Sequence, residues 1–193
     1  SFYQLVLNNA AQVLTITNDL NVSNSLTVTD ISAFNSTNNS SMKISGNILF
    51  TDASWSGSGK VTMNGAGAQS ISGAGVCGVS LIENKSSGIL TLNSGLTITG
   101  VGNDFILVDG DLNLNGFDLT VPDIFSAFDK LTLKGSENIT VNGVANSVAS
   151  VNPNFTLSAT SSTVEFIDSS VTAVVTNLSK SFSIKYCFAL SNS

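Results

Sequence analysis

The chain has 193 residues, of which 10% are charged, and its formal net charge is −6. Its seven basic residues are all lysines, with neither arginine nor histidine. A nucleic-acid surface needs a basic footprint and an anionic membrane surface attracts cations, so charge argues against both partner classes. Apolar residues make up 42% of the chain, which a disordered polymer would not carry. Ser, Thr, Asn and Gly replace the missing charge, a composition suited to pleated surfaces wet by neutral side chains.

From the start, apolar-x-apolar triplets recur: Leu5-Val6-Leu7, Leu14-Thr15-Ile16, Leu20-Asn21-Val22 and Leu26-Thr27-Val28. Period-two alternation makes each a short strand with its apolar side chains facing inward. Asn18-Asp19 and Ser23-Asn24-Ser25 supply turn material between them. The stretch Leu5 to Asn24 aligns without a gap on Leu81 to Gly100, with identities Leu5/Leu81, Asn8/Asn84, Leu14/Leu90, Thr15/Thr91 and Leu20/Leu96. One apolar position fails in that alignment, where Leu7 meets Glu83. A long internal repeat of short apolar triplets indicates stacked, solenoid-like architecture.

Residues 31–41 (ISAFNSTNNSS) are polar and read as a loop protruding from the coil. Strands follow at Ile44 to Phe50 and Lys60 to Asn64, then a small-residue strand over Gly65 to Gly73. Triplets continue through Leu90–Leu92, Leu96–Ile98, Phe105–Val108, Leu112–Leu114, Leu119–Val121, Leu131–Leu133 and Ile139–Val141. Pro122 to Leu131 (PDIFSAFDKL) fits a short helix or a bend. The last third is less regular, with strands expected at Thr163–Phe166, Val171–Val175 and Phe182–Leu190, and it reads as a cap on the stack. Val61 to Ile82 is uncharged but interrupted by Gly, Ser and Asn, whereas a membrane span needs about 20 mostly apolar residues. The expected architecture is all-β: an elongated, right-handed parallel β-helix forming one domain over 1–193. It contains two imperfect repeats, about 1–76 and 77–193. A β-sandwich is the alternative, because short strands separated by turns also build one.

The segments FYQLVLNNAAQVLTITNDLNVSNSLTV, GKVTMNGAGAQSISG, GDLNLNGFDLTV and STVEFIDSS resemble the Ser/Thr/Asn/Gly-rich surface repeat proteins of Bacteroidetes and related bacteria. That resemblance implies a right-handed parallel β-helix within secreted, adhesin-like proteins, many exported by the type IX pathway. It brings no catalytic residues. Cys77 and Cys187 depart from its pattern, and the export signal of that pathway is absent. The chain begins at Ser1 and shows no signal peptide, which suggests a processed product or a fragment.

Without histidine there is no Ser-His-Asp triad and no imidazole ligand, and without arginine no bidentate clamp for carboxylate or phosphate. Glycoside hydrolysis needs only two carboxylates, for which Asp104, Asp109, Asp111, Asp118 and Asp123 are candidates. Asp109, Asp111, Asn113 and Asn115 are calcium candidates, since Asp111 to Gly116 matches the start of D-x-[DN]-x-[DN]-G. The motif fails where Pro122 replaces the bidentate Glu. Asn-x-Ser/Thr sequons occur at several places, and Asn35, Asn38 and Asn39 are the glycosylation candidates. The two cysteines, 110 residues apart in a stacked chain, should lie several coils apart and remain unpaired.

The expected function is a non-catalytic, cofactor-free rod segment of an extracellular, cell-surface adhesin or appendage. Its partners would be further repeats or copies of itself end to end, and surface glycans, with no nucleic acid and no membrane insertion. The alternatives are a subunit of a self-assembling filament joined through strand edges, and a carbohydrate-binding or carbohydrate-cleaving β-helix.

Overall fold

The computed structural model describes residues 1–51, 56–73, 76–100 and 102–122, together with the backbone of strands 125–127, 130–133, 138–141, 156–157, 163–166 and 183–186. Its strands are β1 (Phe2–Ile16), β2 (Leu20–Ser36), β3 (Met42–Ile44), β4 (Asn47–Phe50), β5 (Lys60–Met63), β6 (Gln69–Gly73), β7 (Val76–Cys77), β8 (Ser80–Leu92) and β9 (Leu96–Ile98). They continue as β10 (Phe105–Asn113), β11 (Leu119–Val121), β12 (Phe125–Ala127), β13 (Lys130–Leu133), β14 (Asn138–Val141), β15 (Thr156–Leu157), β16 (Thr163–Phe166) and β17 (Ser183–Tyr186). Among the described residues there is no helix, and every strand pairing is parallel.

The chain is a parallel β-solenoid of about five turns. Leu20, Met42, Val61, Leu81, Phe105 and Phe125 stand in one column, each strand paired to the next. Leu5, Leu26, Ile48, Ile71 and Leu92 form a second column farther along the same sheet. β7, β9, β11, β14, β16 and β17 build the other sheet. The buried residues of these columns are Leu, Ile, Val, Met and Phe, because period-two alternation sends every second side chain inward. The backbone groups are satisfied by the neighbouring coils, as in Ser45 N–H to Val22 O (2.9 Å) and Asn64 N–H to Ile44 O (3.0 Å).

Between the two columns the coil turns a corner. β8 crosses it as one bent strand, pairing with β5 before the corner and with β6 after it. At Gly46 the coils come so close that a Cβ would lie 1.2 Å from the Asn24 carbonyl oxygen. Only glycine fits there.

Three expectations change. Residues 31–41 are not a protruding loop. Ile31 and Phe34 are 4% and 0% exposed and belong to the core, and β2 runs to Ser36. Their polar neighbours face outward or satisfy the ladder, and the chain then reverses tightly through Asn38 and Asn39 at φ 54° and 58°. Asparagine tolerates that left-handed backbone. Ser40 secures the turn, its hydroxyl donating to Ile16 O (3.2 Å) and Thr37 O (2.5 Å).

The 76-residue alignment does not coincide with the stacking. Leu5 stacks on Leu26, whereas Leu81 stacks on Val61, so the aligned strands occupy different sides of the coil. The structural step is one coil: 22, 19, 20 and 24 residues along the column from Leu20 to Phe105. Within PDIFSAFDKL, Phe125–Ala127 is strand paired with β10, not helix. In the tail, β14, β16 and β17 continue the second sheet in register, Ile139 to Val164 to Ile184. Val171–Val175 lies outside the described residues.

Truncating a column residue should be costly and truncating an outward one should not. Phe105→Ala, at a fully buried position, is expected to lower unfolding free energy by about 3–5 kcal/mol. Leu49→Ala, at a position 38% exposed, should change it by about 0.5 kcal/mol. Urea titration followed by circular dichroism measures both.

Candidate functional site

The corner of the coil holds the least expected side chains of the molecule. β8 alternates Leu81, Glu83 and Lys85 inward, and all three are at most 1% exposed. On the preceding coil, the turn Gly65-Ala66-Gly67-Ala68 carries no bulky side chain, and Gln69 begins β6 with its amide turned into the same space. Lys85 Nζ donates to Gln69 Oε1 (2.7 Å), Gly67 O (2.7 Å) and Gly65 O. Gln69 Oε1 also accepts from Gly65 N–H (2.8 Å), and Gln69 Nε2 donates to Ile44 O (3.0 Å) and Gly46 O. One connected network therefore reaches from Ile44 to Lys85.

Burial draws the Lys85 ammonium below its ordinary value, and the Glu83 carboxylate partly offsets this by pulling it up. On the next coil the backbone makes room for the pair. β10 shifts register on both sides of Asp109, and Gly110 adopts φ +110°. A Cβ on Gly110 would lie 2.9 Å from Lys85 Cβ and 3.1 Å from Glu83 Oε1. The sequence carried a signal of this site, the apolar position at which Leu7 meets Glu83. Read with Lys85, it is an opposite-charge pair on an inward row.

Outside this corner lies a shallow depression of about 220 Å³, lined by Lys85, Ser86, Ser87, Gly88, Asp109, Gly110 and Asp111. The structure thus brings Asp109 and Asp111 together at one place, beside the buried pair. It sends Asn113 and Asn115 elsewhere: Asn113 Oδ1 accepts from Asn115 N–H (2.8 Å), and Asn115 Nδ2 donates to Leu92 O (3.1 Å) across the coils. Those two amides serve the turn before β11, where Asn115 and Gly116 take φ 56° and 88°. Among the described residues, no three His, Cys, Asp or Glu side chains gather in metal-binding geometry. Asp104 and Asp118 lie in loops whose carbonyls accept from Leu81 and Leu96, neither lining this depression. Asp123 falls outside the described residues.

Of the sequon asparagines, Asn38 and Asn39 are exposed on the tight turn, and Asn39 Oδ1 accepts from Lys60 Nζ. Asn35 is half-buried, its Oδ1 accepting from Ser58 N–H (3.2 Å). Cys77 is a free thiol with no exposed surface, donating to Val79 O (3.4 Å). Burial pushes it from 9.0 up to about 12, against the smaller lowering effect of the Val79 contact. Cys187 falls outside the described residues. No described helix is long and apolar enough to cross a membrane.

The fold and these sites define the class: a parallel β-solenoid with a polar network enclosed in one corner. Comparison with protein-family models, curated proteins and solved structures returns no match.

Two outcomes follow from the burial. The Cys77 thiol is protonated in both states below pH 9, so its contribution to stability is complete there. Above pH 9 the unfolded chain ionises first, and stability should fall by about 1.4 kcal/mol per pH unit toward pH 12. Cys77→Ala should remove that component of the alkaline slope in denaturant titrations run at several pH values. Gly110→Ala should lower the unfolding free energy by more than the about 1 kcal/mol typical of a point mutation, because it combines strained φ with contact on Lys85. Thermal and urea melts report it.

Proposed function

We propose that this chain is a non-catalytic structural module, a rod segment of an extracellular cell-surface adhesin or appendage. Its task is mechanical spacing and presentation of the surfaces it carries. The observation that supports this reading most is the continuity of the stack. The same inward columns pass from coil to coil, from Leu5 to Leu92 and from Leu20 to Phe105. Such a stack is quasi-one-dimensional, each coil contacting its neighbours, and it lengthens without changing its cross-section. The low charge and the outward Ser, Thr and Asn suit a wetted rod surface.

The carbohydrate-active reading wants aromatic platforms beside a carboxylate pair. Among the described residues the most exposed aromatics, Phe2 and Tyr3, lie on β1, whereas Asp109 and Asp111 lie on β10; Phe117, 36% exposed, follows β10 but does not line their depression. That separation favours the rod.

One feature supports the filament alternative. β1 has no charged residue and no proline in 15 residues, and among the described strands it pairs only with β2. Val6 and Val13 are 54% and 53% exposed on it. Natural edge strands usually carry lysine or proline to block pairing, and β1 has neither, although its pairing with β2 shifts register at three places.

Negative-stain microscopy with sedimentation velocity tests both. Discrete particles whose sedimentation coefficient is independent of concentration are the expected result. Filaments, or growth with concentration that Val6→Lys with Val13→Lys abolishes, would make the filament subunit the better reading.

A further inference from the structure

The buried corner places an amine against a carboxamide in a setting that resembles a reaction site more than a packing detail. Gln69 Oε1 lies 2.7 Å from Lys85 Nζ. A carbonyl bond is about 1.2 Å long, so Nζ is no farther than about 3.9 Å from the amide carbon. Contacts of about 3–3.5 Å are those from which bonds form. The carbonyl oxygen also accepts from Gly65 N–H at 2.8 Å, a fixed donor aimed where charge would develop during attack. The amide nitrogen is held by Ile44 O and Gly46 O, so the carboxamide cannot rotate away. Gly65 O and Gly67 O hold the lysine nitrogen in place. Glu83, fully buried, stands two residues from Lys85 on the same inward row.

We propose that Lys85 and Gln69 join in an intramolecular isopeptide bond, with Glu83 carrying the protons. Lys85 Nζ rests on Gly65 O, Gly67 O and Gln69 Oε1, so Glu83 must first turn toward it; it then takes a proton from the ammonium, leaving the amine lone pair free. That pair forms the Nζ–Cδ bond while the carbonyl π pair moves onto Oε1, facing Gly65 N–H. Glu83 delivers its proton to Nε2 and takes one from Nζ. The oxyanion then re-forms the carbonyl, and the Cδ–Nε2 bond breaks. Ammonia departs and receives the proton left on Glu83, leaving as ammonium. An ammonium side chain and a primary amide become a secondary amide and ammonium ion, with no oxidant, reductant or cofactor consumed. Burial serves this step twice, by favouring the neutral amine and by keeping water from competing.

The bond would tie β6 to β8, neighbouring strands on successive coils. Parallel coils joined by backbone hydrogen bonds can open one after another, and a covalent tie stops that opening at the corner. The inference concerns chemistry within the chain and stands whether or not the chain serves as a rod.

Intact mass spectrometry of the purified native chain decides it. The expected mass is that of the sequence less one molecule of ammonia. Chymotryptic cleavage at Leu81, between the two residues, should release a branched product joining the peptides that contain Gln69 and Lys85. Glu83→Gln should keep the circular dichroism of the fold yet show the full sequence mass, and Lys85→Met should also show no loss. A wild-type chain at full sequence mass overturns the proposal. So does an ammonia loss that maps to an asparagine, such as Asn64 before Gly65, instead of a branched peptide. The wild-type result decides the matter even if either variant fails to fold.

Discussion

The structure depends on one constraint: parallel strands must repeat their in-out alternation in register from coil to coil. Inward side chains then stack in columns, and each fully buried apolar member contributes about 1.5–3 kcal/mol. The same register lets each coil satisfy the next coil's backbone donors and acceptors. A slip of one residue would turn a whole row of Leu, Ile, Val and Phe to solvent. The turns between strands are free to vary in length because only the columns are held in register. Column steps of 22, 19, 20 and 24 residues are compatible with one core for that reason.

The polar corner is the exception that this regularity permits. An isolated buried charge is heavily penalised, and a buried pair persists only where further hydrogen bonds complete its shell. Here the small-residue turn at Gly65 to Ala68 exposes carbonyls to the interior, and Lys85 donates to those of Gly65 and Gly67, while Gln69 donates to Ile44 O and Gly46 O on the coil before. Gly110 on the following coil leaves the space that Lys85 and Glu83 occupy. Four successive coils thus contribute to this corner, from Ile44 and Gly46 through Gln69 and Lys85 to Gly110, and each contribution has meaning only in the presence of the others.

Several features were legible in the residues alone. Apolar-x-apolar triplets separated by Asn, Ser and Gly announced short inward-facing strands, and the absence of histidine and arginine removed most catalytic chemistries. The repeat was legible but its period was not. Strands such as Leu5-Val6-Leu7 and Leu81-Ile82-Glu83 look alike on any side of a coil, since each needs only alternation. Residues 31–41 misled for a related reason. The core contacts of Ile31 and Phe34 are separated by polar residues, so composition reads as loop where geometry makes a wall and a tight turn. PDIFSAFDKL carries a helical spacing of apolar residues, but pairing with β10 overrides that preference at Phe125–Ala127. The calcium motif was legible only as a spacing: Asp111 stays with Asp109, while Asn113 and Asn115 serve a turn whose backbone needs their amides.

By itself the sequence determined the alternation, the β class, the solenoid-like stacking and the low-charge surface, because these follow from residue type and local period. Which strands became neighbours was decided by the tertiary structure. Register is a property of pairs of coils, set jointly by column packing and backbone hydrogen bonds, and no single segment encodes it. The meeting of Gln69, Glu83 and Lys85 was decided the same way. Sixteen residues separate Gln69 from Lys85 along the chain, less than a full coil, and only the pairing of β6 with β8 across the corner brings the amide to the amine.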